Sequence, residues 1–89
     1  MSVIKPLANN TYCNTVPNSF GNNVLVYVTH VANTNEIHTI TCKANTGTQL
    51  WSIAVCGGES IILQKNPTDT LESGDATNTV RGVQIAYKN

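Results

Sequence analysis

The sequence predicts an all-β fold: a single antiparallel β-sandwich, jelly-roll or Ig-like, of six to eight short strands with an N-terminal arm. Three observations point there. Val, Ile and Thr supply 28 of the 89 residues, and β-branched side chains fit the pleated strand better than the helix, where they lose χ1 freedom. Turn-forming residues recur about every 8–12 positions. No apolar i, i+3, i+4 stripe is sustained over ten residues, so no helix competes.

The elements follow in order. Residues 1–23 read as the arm, poorly periodic and rich in Asn, Pro and Gly. Within it Val3, Ile4 and Leu7 are apolar enough to dock, and 11–16 reads as an edge strand stopped by Pro17, which has no N–H for a ladder. The sandwich domain is expected over 24–89. A strand at 24–32 ends at Asn33-Thr34-Asn35, whose side chains favour turns. A second at 36–44 turns at Asn45-Thr46-Gly47, and a third at 48–56 closes on Gly57-Gly58. A fourth, 60–65, is broken by Asn66-Pro67. A short fifth at 70–71 precedes the polar stretch 73–78, and the last, 79–88, carries Val80, Val83, Ile85 and Tyr87.

Alternation also predicts a register. A hairpin centred on Thr34 pairs Val28 with Ile40, Val26 with Cys42, Val24 with Ala44 and His30 with His38; a one-residue slip would scramble the apolar face. A second hairpin, centred on Thr46, sets Leu50 against Cys42 and Trp51 against Thr41, with Gly47 supplying the positive φ of the loop. The resulting meander has Val24, Val26, Val28, Ile40, Cys42, Leu50 and Ala54 on one face. Leu25, Tyr27, Val31, Ile37, Trp51, Ile53 and Val55 lie on the other, among Thr29, Thr39 and Thr41. Both faces are partly apolar, so one covers a core and the other meets the arm or a partner. The candidate interface residues are Val3, Ile4, Leu7, Tyr12, Leu25, Tyr27, Trp51 and Ile53. Trp51→Ala is the single change expected to cost most, about 3 kcal/mol or more where the ring is buried.

Composition narrows the functions. Charged residues are 11 % of the chain and balance to zero, which leaves no Lys/Arg cluster to read phosphates or anionic lipid. No apolar core of seven residues opens the chain and no run approaches the ~20 residues of a membrane span, so a cytosolic start without a leader is expected. Cys13, Cys42 and Cys56 are odd in number and lack metal spacing; they read as free thiols acting as small hydrophobes. Asn9-Asn10-Thr11 fits a glycosylation acceptor only by accident in that compartment.

Candidate chemistry is sparse. The predicted register sets His30 across from His38 with Glu36 beside them, a possible Zn²⁺ or Ni²⁺ ligand set. The pair reads instead as two solvent-facing histidines near a hairpin end, a weak site where zinc raises the melting temperature little; no metal ligand is assigned. Cys56-Gly57-Gly58-Glu59-Ser60 does not match G-x-S-x-G, and both histidines sit on one hairpin, so no nucleophile has a positioned base. The expectation is no enzyme, no catalytic residue and no cofactor. Asp69, Glu72 and Asp75 fit no calcium loop and read as a solvated acidic connection. Tyr12, Tyr27, Trp51 and Tyr87 suit core or interface anchoring better than a sugar-stacking platform.

The segment Gly57-Gly58-Glu59-Ser60-Ile61-Ile62-Leu63-Gln64-Lys65-Asn66-Pro67-Thr68-Asp69-Thr70-Leu71, followed by Val80-Arg81-Gly82-Val83-Gln84-Ile85-Ala86-Tyr87, resembles small virion proteins of tailed bacteriophages, those of phages infecting marine cyanobacteria above all. The Thr-rich alternation over 24–55 resembles them too, so the likeness covers about residues 24–88. It implies a non-enzymatic virion subunit assembled in the host cytoplasm, foremost a capsid decoration (cement) protein, with a neck, tail or fibre component as the nearest variant. Its partners would be the major capsid protein or other virion proteins and copies of itself, with no nucleic acid and no membrane. The alternative is a small carbohydrate- or surface-binding module. No binding residue carries over, because the likeness holds no fixed binding motif.

Overall fold

The computed structural model describes residues 3–32, 35–74 and 79–88. They form an all-β structure of eight strands: β1 (Val3–Pro6), β2 (Thr11–Tyr12), β3 (Leu25–His30), β4 (Ile37–Lys43), β5 (Gln49–Cys56), β6 (Ser60–Gln64), β7 (Thr70–Ser73) and β8 (Val80–Lys88). No helix occurs among the described residues. Two antiparallel sheets result, one in the order β1-β8-β3-β6 with β2 also against β8, the other in the order β5-β4-β7.

The predicted first hairpin does not form. β3 and β4 lie in different sheets, so Val28 pairs with Ile61 and Gly82 rather than Ile40, and His30 pairs with Val80 rather than His38. The apolar alternation of β3 and β4 is nevertheless used. Val26 and Val28 from one sheet, and Ile40 and Cys42 from the other, are fully buried in one cluster. Alternation fixes which side of a strand is covered, and a facing sheet covers it as well as a neighbouring strand does.

The second hairpin forms, with one correction. It leaves its turn in the expected register, Lys43 opposite Gln49, and Gly47 has φ +95°. A β-bulge between Cys42 and Lys43 then adds a residue, so Cys42 meets Trp51 and Thr41 meets Ser52. One residue of slip exchanges the faces of a strand. Trp51 and Val55 therefore join the inward-facing cluster, while Leu50 and Ala54, expected there, are exposed.

The segment expected as an arm is built into the structure. β1 and β2 pair with β8. Beyond them the Cys13 N–H donates to Val80 O in the first sheet, whereas Ser73 N–H donates to Asn14 O and Asn18 forms a two-way bridge with Leu71 in the second. Residues 13–18 thus tie the sheets together along one side. Phe20 and Asn22 take left-handed φ of 52° and 55°, a turn held by the Asn18 Oδ1, which accepts the Phe20 N–H. That turn drives the Phe20 ring into the core.

Cys13 and Cys42 are fully buried within the cluster, and burial pushes the Cys42 thiol up. Lys65 closes one end of the cluster. It continues the inward alternation of Ile61 and Leu63, is only 4 % exposed, and its ammonium donates to the carbonyls of Asn23, Asn66 and Pro67. Burial lowers its pKa, with the Asp69 carboxylate working against that shift. The folded chain therefore releases this proton more readily than the unfolded one, so the group's contribution to stability rises with pH up to the ordinary lysine value of about 10.4. Lys65→Met should cost about 1.5–3 kcal/mol near neutrality, because three carbonyls lose a charged donor. It should also flatten the alkaline part of the stability–pH curve; an unchanged urea midpoint would show that water replaces the ammonium without loss.

Candidate functional site

The outer face of the larger sheet carries partly exposed apolar side chains around a buried Ile85. On β3, Val26, Val28 and His30 point inward, so Leu25, Tyr27 and Thr29 point away from the core. The ladders extend these into three cross-strand rows. Ile62, Tyr27 and Val83 form the central one; Gln64, Leu25, Ile85 and Pro6 lie on one side of it, and Ser60, Thr29, Arg81 and Tyr12 on the other. Ile4 opposite Tyr87 carries the face to the β1 edge. Ile62 is 38 % exposed, Tyr12 45 % and Tyr87 50 %.

The polar row frames this surface. The Arg81 guanidinium lies over the Tyr12 ring, 5.3 Å from its centre, a cation–π contact that orders both side chains. The Thr29 and Ser60 hydroxyls are 3.2 Å apart, and hydrogen bonds from Ser60 and Thr29 hold the Tyr27 hydroxyl below its ordinary pKa. A groove of about 220 Å³ runs between Asn10, Tyr27, Thr29, Val31, Arg81 and Val83.

Of the interface residues expected from the sequence, Ile4, Tyr12, Leu25 and Tyr27 share this face. Val3 is 59 % exposed and alternates to the other side of β1, and Leu7, just past β1, is 45 % exposed. Trp51 and Ile53 are elsewhere: the bulge turns them inward on β5, an edge strand of the smaller sheet, where Trp51 packs on the core and Ile53 stays 40 % exposed. Sequence reasoning missed Ile62 and Val83. Their signal was present, since each alternates with inward-facing neighbours, but it acquires meaning only once β6 and β8 are known to flank β3.

The other candidates resolve as follows. Cys56 lies at the end of β5, where the Glu59 carboxylate accepts the Cys56 N–H at 2.6 Å. That bond holds the Glu59 pKa down, and hydrogen bonding to Glu59 raises the Cys56 thiol. A thiol kept protonated is the opposite of an activated nucleophile. Asp69 is buried, Glu72 pairs with Lys43 at 2.8 Å, and Asp75 lies outside the described residues. The histidines are not solvent-facing as expected: His30 is fully buried and the His38 side chain is 18 % exposed. They face each other from opposite sheets with ring centres 4.9 Å apart. His30, Glu36 and His38 are the one group among the described residues placed to hold a metal ion.

Fold and surface together define a small all-β protein of two antiparallel sheets with one apolar outer face. No protein-family model, curated protein or solved structure matches the chain.

Proposed function

We propose that the chain is a non-enzymatic virion structural protein of a tailed phage, a capsid decoration subunit that stabilises the particle through protein–protein contacts. The observation that carries this reading is the row Ile62, Tyr27 and Val83, apolar side chains on the outer face of a sheet that already has a core on its inner face. A surface of this kind suits burial against a partner, and a standard interface takes about 800 Å² per partner. The low charge of 11 % agrees, since an assembly-bound protein has less need of charge for solubility. The resemblance of residues 57–71 and 80–87 to small phage virion proteins names the kind of assembly.

The finer architecture is proposed with it: a jelly-roll β-sandwich. A jelly roll has two four-stranded sheets, and the path β1-β8-β3-β6 through the five-stranded sheet supplies one. In the other, β5-β4-β7 is extended by the Asn18–Leu71 bridge, which lays the segment after β2 beside β7. Jelly rolls recur in viral capsids and in lectins, and that fold-level likeness is analogy alone.

The test is a mass-spectrometric inventory of purified particles, followed by Tyr27→Asp. The chain should appear at fixed high copy number, and the variant should lose incorporation while its melting temperature moves by less than about 5 °C, as for a surface change. Absence from the particle, or glycan binding by the isolated monomer that Tyr27→Asp abolishes, would overturn the reading in favour of a surface-binding module.

A further inference from the structure

We propose that His30, Glu36 and His38 bind a divalent transition cation, with Zn²⁺ the best fit, and that the ion staples the two sheets together. Three observations lead to this site. First, His30 ends β3 facing inward and is fully buried. Its Nδ1 lies 3.1 Å from the Val55 carbonyl oxygen; a carbonyl only accepts, so Nδ1 carries the proton and Nε2 holds a lone pair. That Nε2 is buried with no hydrogen-bond partner. Buried polar atoms are nearly always satisfied, so an orphan of this kind calls for a reason. A histidine whose far nitrogen donates to a backbone carbonyl, leaving the near one as a lone pair, is set up as a metal ligand usually is.

Second, His38 presents its ring from the opposite sheet, 4.9 Å from that of His30, because β4 faces β3 across the core. Third, Glu36 precedes β4 and its Oε1 accepts from His38 Nε2 at 2.8 Å; a cation held between them would displace that proton to solvent. One ligand atom from each of the three lies within 4.8 Å of the others. Ligands about 2.0–2.2 Å from a tetrahedral zinc stand roughly 3.3–3.6 Å apart, so small side-chain rotations close the set. Glu36 is the natural place for that adjustment, its side chain being 40 % exposed. Two imidazoles and a carboxylate suit a borderline cation better than Mg²⁺ or Ca²⁺, which take oxygen ligands. The fourth position would go to water, on the Glu36 side where solvent reaches.

The site bridges elements that no ladder joins. His30 belongs to the larger sheet and His38 to the smaller, so an ion held by both cross-links the two layers. Small domains with modest cores commonly rely on such a staple.

The experiment titrates the full chain, stripped of metal, with ZnCl₂ by calorimetry, and repeats the titration on Glu36→Gln and His38→Gln. Circular dichroism and the metal-free melting temperature of each variant check that the fold is kept. The wild type should bind one equivalent, and its melting temperature should rise by about 10 °C or more at a zinc concentration a hundredfold above Kd. Glu36→Gln should weaken binding about tenfold or more, and His38→Gln should abolish the one-to-one isotherm. Nitrogen NMR of the wild type should show zinc shifting His30 Nε2 and not Nδ1. Absence of one-to-one binding, equal binding by both variants, or an unshifted His30 Nε2 would each overturn the proposal.

Discussion

Ile40→Ala is expected to lower the unfolding free energy by about 3–4 kcal/mol and the melting temperature by about 12 °C or more. Ile40 sits in the middle of β4 with no exposed surface, among the largest of the fully buried side chains. Its neighbours on the ladder are Ile53 and Ser73, and its side chain lies in the cluster shared by both sheets. Truncation removes apolar area and leaves a cavity that two hydrogen-bonded sheets cannot collapse to fill. A domain of 89 residues has a total stability of roughly 4–13 kcal/mol, so the loss is a large share of it. Trp51→Ala, which the sequence ranks first, should cost less. Its ring packs on the cluster from an edge strand and is only partly buried, beside Lys65 and Asp69. Urea unfolding of both variants checks the order; a loss below about 1 kcal/mol for Ile40→Ala would show a core looser than this packing implies.

The second large effect comes from adding an atom rather than removing several. Gly82 lies opposite Val28 and Thr11 on β8, and a Cβ there would stand 2.7 Å from Phe20 Cε1, 2.8 Å from Cζ and 3.3 Å from Val26 Cγ1. The Phe20 ring cannot easily withdraw. It is 4 % exposed, and its backbone is fixed in a left-handed turn at φ 52°. Gly82→Ala should therefore cost about 2–3 kcal/mol by overpacking. Phe20→Leu should relieve part of that cost, so the double variant should be more stable than the sum of the single losses predicts, with a coupling of about 1 kcal/mol. Additive losses would mean that Gly82 matters for strand conformation and not for the ring above it.

The strands themselves were legible because their causes are local. β-branched alternation and Asn, Gly and Pro punctuation locate the strand at 36–44, seen as Ile37–Lys43, and that at 79–88, seen as Val80–Lys88. β1 was legible only as apolar weight at Val3 and Ile4, since four residues carry too little alternation to separate a strand from a docking tail. The apolar surface was half visible. Leu25 and Tyr27 follow from the alternation of β3, whereas Ile62 and Val83 required knowing which strands lie beside it.

The all-β class, the positions of the longer strands and the shared face of Val26, Val28, Ile40 and Cys42 were thus readable from the chain alone, while the structure shows that this face is the buried one. Each depends on the two-residue period of a strand, which every segment carries within itself. The strand partners were settled by contacts distant along the chain. Side-by-side pairing of β3 with β4 and face-to-face packing across a core demand the same apolar pattern, and long-range contacts with residues 11–20, β6 and β8 choose between them. The bulge at Cys42/Lys43 is equally non-local in its effect: one unpaired residue turns Trp51 inward and Leu50 out. The same choice of partners moved His30 from a predicted hairpin end into the interior, where it meets His38 from the opposite sheet. Spacing along the chain sets the same two histidines side by side in a hairpin; that they meet across the core instead follows from how the layers stack.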